Sequence, residues 1–219
     1  MTAVAKGYRG IGMEGNVARW YDRTTRKDMA EFVALAARIA TAAPAGAEVL
    51  EVAPGPGFLS IEMARRGMRV TAVDISKTFL ELGAKNAAEE GAAVRFLYGD
   101  AASLPLPDAS VDFVVCRAAF KNFTRPVEAM SEMRRVLRPG GNALIIDMRR
   151  EASMKDLRPY VERMSSTWLD RMSMTLTFRM LIRRAYPIAE IRRMMHEAGW
   201  QNVELNLTPS GFEASMRKD

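Results

Sequence analysis

Val49-Leu50-Glu51-Val52-Ala53-Pro54-Gly55-Pro56-Gly57 decides how this chain is read. An apolar, β-branched run stops at small residues and prolines, and helical spacing begins directly after them, so a buried strand turns sharply into a helix. Small residues at that corner let the backbone approach a ligand closely, and the free amides of the helix start offer donors to an anion or a carboxylate. By itself, a Gly-Xaa-Gly turn is equally what a tight strand-to-helix corner needs.

The flanking sequence repeats the alternation. Short β-branched or aromatic runs at 48–53, 69–74, 93–98, 111–116 and 143–147, bounded by Gly, Pro or Asp, predict strands. Between them, 59–66, 77–90 and 127–137 carry apolar residues three and four apart and predict helices. Ser76 and Thr124 are placed as N-caps, Gly67 and Gly91 as C-terminal stops, and Arg138-Pro139-Gly140-Gly141 as a turn that no helix or strand tolerates internally. This order builds an α/β parallel sheet with helices on both faces, and in such sheets ligands lie beyond the carboxyl ends of the strands. From 151 to 186 no strand is evident, and Met, Arg and Leu at helical spacing predict inserted helices. Residues 188–198 predict a further helix stopped by Gly199, and 201–207 and 212–216 predict closing strands joined at Pro209-Ser210-Gly211. A helix over 33–39 and a Gly- and aromatic-containing segment at 8–21 precede the first strand.

A chain of 219 residues with 48% hydrophobic and 26% charged residues folds, and its length suits one domain, which excludes general disorder. No apolar run approaches the ~18–20 residues of a membrane span and no apolar leader opens the chain, so a cytoplasmic location is expected. One cysteine, Cys116, and one histidine, His196, exclude an internal disulfide and a Cys/His zinc cage, so no metal is expected. Against 26 acidic residues, 32 Lys and Arg leave a net charge of +6. The basic pairs Arg65-Arg66, Arg134-Arg135, Arg149-Arg150, Arg183-Arg184 and Arg192-Arg193 are spread like solvated helix faces rather than gathered into a nucleic-acid-binding arm.

Two acids complete the pattern. Asp74 ends the second strand about twenty residues after the glycines, the spacing at which a nucleotide-binding α/β unit sets a carboxylate on vicinal ribose hydroxyls. Tyr98-Gly99-Asp100-Ala101 sets another at the same sheet edge. A nicotinamide-dinucleotide fingerprint is disfavoured, because Ser60 stands where its third glycine would fall.

At this point the sequence resembles a family, the small single-domain, type 11-like class I S-adenosylmethionine-dependent methyltransferases. The resemblance covers 48–147 closely. It rests on the stretch quoted first, on Val73-Asp74-Ile75-Ser76, on Gly99-Asp100-Ala101, on Leu104-Pro105-Leu106-Pro107-Asp108 followed by Val111-Asp112-Phe113-Val114-Val115, and on Val136-Leu137-Arg138-Pro139-Gly140-Gly141. One departure is Ala53, where the family usually has glycine, with prolines at 54 and 56. The resemblance implies a Rossmann-like sheet of seven strands, the last antiparallel, with S-adenosyl-L-methionine across the ends of the first four and S-adenosyl-L-homocysteine as product. It implies a single domain over 1–219: a lid and helix at 1–45, a cofactor core at 46–148, substrate-side helices at 149–187, and a closing helix and strands at 188–219. By carry-over, Ala53, Gly55 and Gly57 line the methionine moiety, Glu51 reaches its ammonium and Arg117 stands beside its tail. Asp74 takes the ribose, Ile75 an adenine face, and Asp100 with Ala101 the adenine amine.

A sulfonium methyl is already an activated electrophile, so a dedicated base is optional. Tyr8, Tyr21 and Lys121 are the candidate catalytic residues, with Tyr186 also within possible reach; the segment holding the first two reads equally as a lid or as N-terminal packing. His196, in a late helix, reads as a surface or packing residue. Cys116 follows valine rather than the proline of 5-methylcytosine enzymes and reads as a buried hydrophobe. Arg117-Ala118-Ala119-Phe120 lacks the Asn/Asp-Pro-Pro-aromatic motif of amino-directed nucleic-acid methylases. Met154, Met164, Met172, Met174, Met180, Trp168 and Phe178 read as a substrate wall, with a membrane surface or a second subunit as other uses of the 167–184 helix. The expectation is methyl transfer to a small, partly apolar or aromatic molecule at O, N or C, with no nucleic acid and no membrane span, a homodimer being left open. The alternatives are an RNA methyltransferase and a non-catalytic cofactor-binding or assembly protein of the same fold.

Overall fold

The computed structural model describes residues 7–9, 12–165 and 167–219. Its frame is a seven-stranded sheet of β1 (Glu48–Val52), β2 (Arg69–Asp74), β3 (Val94–Tyr98), β4 (Val111–Arg117), β5 (Leu137–Met148), β6 (Asn202–Leu207) and β7 (Gly211–Arg217). The order is β3-β2-β1-β4-β5-β7-β6, with β1 to β5 parallel and β7 antiparallel to both its neighbours. Strand order therefore reverses between β1 and β4, and an open α/β sheet leaves its ligand crevice at that switch point, past the carboxyl ends.

Both faces are covered, which is why the central strands read as continuous apolar runs. Leu50 and Val52 of β1 with Val114 and Cys116 of β4 face one cluster, closed by Met130 and Met133 of α5 (Pro126–Val136) and by Ile191 and Met195 of α8 (Ile188–Glu197). The intervening Val49, Phe113 and Val115 face the other, closed by Phe32, Leu35 and Ile39 of α2 (Met29–Ala42) and by Phe58, Leu59 and Met63 of α3 (Phe58–Ala64). The remaining helices are α1 (Gly15–Thr25), α4 (Lys77–Glu89), α6 (Met154–Met164) and α7 (Trp168–Arg184). Among the described residues no helix is long and apolar enough to cross a membrane.

Two local readings are corrected. Arg138-Pro139-Gly140-Gly141 lies inside β5 as a bulge: Val111 pairs with Leu137 while Phe113 pairs with Asn142, and Gly140 sits at φ 75°. Its backbone is tied to the chain end, Gly140 N donating to Lys218 O (2.9 Å) and Lys218 N to Gly141 O (2.9 Å), which a local reading cannot see. Thr124 is not the cap of α5; Arg125 holds that position, because Pro126 is already pre-set for the first helical turn. Ser76 does cap α4, accepting from Phe79 N at 3.1 Å.

Of the residues expected to form a substrate wall, Trp168, Met172 and Met180 are exposed, while Met154, Met174 and Phe178 are half-buried. The side chain of Met164 lies outside the described residues.

Candidate active site at the strand tips

The turn after β1 is held in an unusual backbone conformation. Ala53 (φ 56°), Gly55 (φ 57°) and Gly57 (φ 80°) are all left-handed. Gly57 has a second reason to lack a side chain, since a Cβ there would come within 3.0 Å of the Phe96 ring. Ala53 carries its Cβ into this region at a cost of about 1–2 kcal/mol, and is held by donating to Val73 O at 2.8 Å. At the tip of β4, Ala118 (φ 59°) does the same, its N–H donating to Ile146 O at 2.8 Å. The two strands flanking the switch point thus end in non-glycine left-handed residues, the kind of stored strain that collects at functional sites. Asn86 of α4 ties the turn down, donating to Pro56 O (2.9 Å) and Asp22 Oδ1 (3.0 Å).

Acids line the same edge. Asp74 is buried; Oδ1 accepts from Ser76 N (2.8 Å) and Oδ2 from Gly55 N (3.2 Å), so it clamps the glycine turn to the end of β2. Glu51 is 3% exposed and accepts from the Ser60 hydroxyl, which gives the serine that breaks the dinucleotide fingerprint a place of its own. Burial pushes Glu51 up to about 7 against the pull of Ser60 and the Arg117 guanidinium, and pushes Asp74 up to about 6 against its backbone donors. Asp100 is half-exposed, accepting from Ala102 N (2.9 Å) and pairing with Arg125 (2.8 Å), and Ala101 packs on the core beside it. Arg117 pairs with Glu31 (2.9 Å) and lies over the Phe32 ring at 4.5 Å. Ile75 is half-buried between the β2 tip and α4.

The segment before α1 crosses these tips. Tyr8 forms a bridge with Phe123, and Arg9 N donates to Asn122 O at 2.7 Å. Gly7 lies so close to Asp100 that a Cβ there would come within 2.6 Å of Oδ2. Glu14 caps α4 from outside it, accepting from Lys77 N and Thr78 N at 3.0 Å each. Residues 10 and 11 of the segment lie outside the described residues. Burial raises the Tyr8 phenol above its ordinary range, Arg184 lowers it, and Tyr21 and Asp74 raise it, so Tyr8, Tyr21 and Asp74 share one neighbourhood. Tyr21 in turn meets Phe79 edge-on at 5.7 Å.

Lys121 is not among them. It is 4% exposed, with Nζ 2.9 Å from Asp147 Oδ1 and also donating to Ala118 O, while its backbone N–H donates to Asp147 Oδ2 at 2.8 Å. Tyr186 is likewise committed, its hydroxyl donating to Phe123 O at 2.8 Å. Cys116 is buried and burial pushes its thiol far up, whereas His196 is exposed on α8. Asp147 and Glu14 escaped the sequence reading, and Ser60 entered it only as a break in the dinucleotide fingerprint; of the first two, only Asp147 carried a signal, as an acid ending a strand.

Residues 50–145 match a family described as "Methyltransferase domain". The chain is 39% identical over 107 residues to the demethylmenaquinone methyltransferase of Deinococcus radiodurans, 48% of this chain and 44% of that one. It spans about half the length of the demethylmenaquinone methyltransferases it matches, 44%, 49% and 46% of three of them. With the ubiquinone/menaquinone biosynthesis C-methyltransferase UbiE of Pseudomonas putida it is 30% identical over 186 residues, 79% of this chain and 72% of that one. The chain belongs to the S-adenosylmethionine-dependent methyltransferase family. The fold agrees: a SAM-dependent methyltransferase from Aquifex aeolicus superposes with a TM-score of 0.62 at 20% identity, covering 80% of this chain and 83% of that one.

In this member of the family, Glu51 and Asp74 link folding to pH. Across about pH 4 to 7 the folded chain keeps protons on both groups that the unfolded chain has lost, so the stability they contribute falls as pH rises through that window. Glu51→Gln is expected to remove up to about 3 kcal/mol of that fall. Melting temperatures of the unliganded protein at pH 5 and pH 8 check it: the variant should lose less on the alkaline side than wild type, and parallel profiles contradict it.

Proposed function

We propose that the chain transfers a methyl group from S-adenosylmethionine to a ring carbon of a small aromatic quinol, the sulfur–methyl bond breaking as the carbon–carbon bond forms, with S-adenosylhomocysteine as the leaving group and the displaced ring proton passing to bulk water. The observation that carries this reading is the 30% identity over 186 residues to a C-methyltransferase of ubiquinone and menaquinone biosynthesis, an alignment that runs well beyond the 50–145 core.

The strand tips fit this cofactor in two respects. Glu51 is a buried carboxylate whose partner is a neutral hydroxyl, a suitable counter-charge for an ammonium. Asp74 takes backbone donors on both oxygens and keeps lone pairs for vicinal hydroxyls. On this reading Ala53, Gly55 and Gly57 line the amino-acid tail with Arg117 beside it, Asp74 holds the ribose, Ile75 covers the adenine, and Asp100 with Ala101 faces its amine. Bound S-adenosylmethionine supplies a methyl already activated on sulfur.

What the chain adds is alignment and exclusion of water. Gly7 to Arg9, crossing the tips, serves as the cover. Tyr8, its phenol raised, keeps its proton on Oη and donates it in a hydrogen bond to an acceptor oxygen, so it orients rather than deprotonates. Tyr21 lines the same space. Lys121, held by Asp147, fixes the β4 tip rather than acting on substrate.

Incubation with methyl-labelled cofactor and reduced demethylmenaquinone, followed by mass spectrometry, tests the reading. The expected product carries one labelled methyl on a ring carbon. Label on an oxygen or nitrogen, or label only in added RNA, contradicts it.

A further inference from the structure

α7 is apolar on both sides yet lies at the surface. Its inner face, with Met174, Phe178, Leu181 and Ile182, is half-buried, and Phe178 meets Tyr160 of α6 edge-on at 5.5 Å. Among the described residues nothing covers its outer face. Trp168 is 71% exposed, Leu176 56%, Leu169 54%, Met172 53% and Met180 46%. So large an apolar stripe on one surface helix marks an interaction face.

The charges on that stripe choose the partner. Trp168, Met172, Leu176, Arg179 and Arg183 follow at three- and four-residue steps, so both arginines stand on the exposed apolar face itself. Among the described residues no acid pairs with Arg179 or Arg183. The one acid of the helix, Asp170, is turned to its own start, accepting from Thr167 N at 3.1 Å in a capping box. Long arginine stems lie along apolar surface while their guanidinium groups reach polar phosphate, and a face of Trp, Leu and Met interleaved with arginine seats at a lipid interface. An anionic headgroup layer complements these arginines.

We propose that the outer face of α7 docks this protein on the surface of an anionic lipid bilayer. The helix packs beside the Phe120–Asn122 turn, just past the tip of β4, so docking brings the strand-tip crevice to the layer that holds apolar molecules. That benefit rests on the quinol reading; the docking itself does not, and its test needs no methyl acceptor.

Flotation of the whole protein with vesicles of phosphatidylcholine, alone and mixed with phosphatidylglycerol, reads the association. Wild type is expected to float with the mixed vesicles and to be released by salt, with a blue shift of tryptophan emission that Trp168→Phe removes. Met172→Asp combined with Leu176→Asp should weaken partition about tenfold or more, and Arg179→Glu with Arg183→Glu should abolish the preference for anionic vesicles. Both double variants should keep the melting shift caused by S-adenosylhomocysteine, which shows them folded. Failure of wild type to float, equal flotation of the variants, or a solution dimer that Met172→Asp dissociates would each overturn the proposal.

Discussion

Asp74→Ala should weaken S-adenosylhomocysteine binding by at least about 30-fold, because two hydrogen bonds to a charged acceptor, worth together upwards of ~2 kcal/mol, go with the carboxylate. The fold should survive. A carboxyl raised to about 6 by burial is one whose charge the folded state tolerates at a cost, and its removal relieves that cost while freeing Gly55 N and Ser76 N. Saturating the wild type with product at about a hundred times its dissociation constant should add ~2.7 kcal/mol, a melting shift of roughly 5–11 °C. At the same concentration the variant should shift little. Calorimetric titration of both proteins checks this, and equal dissociation constants refute the ribose assignment.

A second large effect is expected at the buried pair that holds the neighbouring strand tips. The Asp147 side chain is fully buried and that of Lys121 nearly so, at 0% and 5% exposure. Asp147→Ala leaves an ammonium and the Lys121 N–H without their acceptor, and breaking a buried pair on one side costs about 3–5 kcal/mol. For a domain of this size that is a fall in melting temperature of roughly 6–20 °C. Replacing both partners, Lys121→Met with Asp147→Leu, should recover most of it, since no orphaned charge remains. Should the single and double variants melt alike, the pair does not hold the tips in the way described.

Much of this architecture was legible because it is written locally. β2 spans Arg69–Asp74 as read, since an alternating β-branched run is closed by an acid. Ser76 was recognisable as a cap because its partner, Phe79, is three residues on. What escaped depends on distant partners. Glu14 caps a helix 63 residues away, and no local spacing announces it. Lys121 is a catalytic candidate by residue type alone, and its partner lies 26 residues later, at Asp147. Pro139-Gly140-Gly141 has turn chemistry and becomes a bulge in β5 because the chain end returns to satisfy its backbone. The methionines after 151 were read as one wall, yet periodicity alone does not say which side of α7 faces the protein when both sides are apolar.

In the function proposed, the tips of β1, β2 and β3 converge on one cofactor. A crystal structure grown with S-adenosylhomocysteine tests that most directly. It should show the sugar against Asp74, the amino-acid tail over Gly55 and Gly57 within reach of Glu51, and the adenine between Ile75 and Asp100. The compound bound anywhere else, with Asp74 still engaged only by its backbone donors, would contradict it.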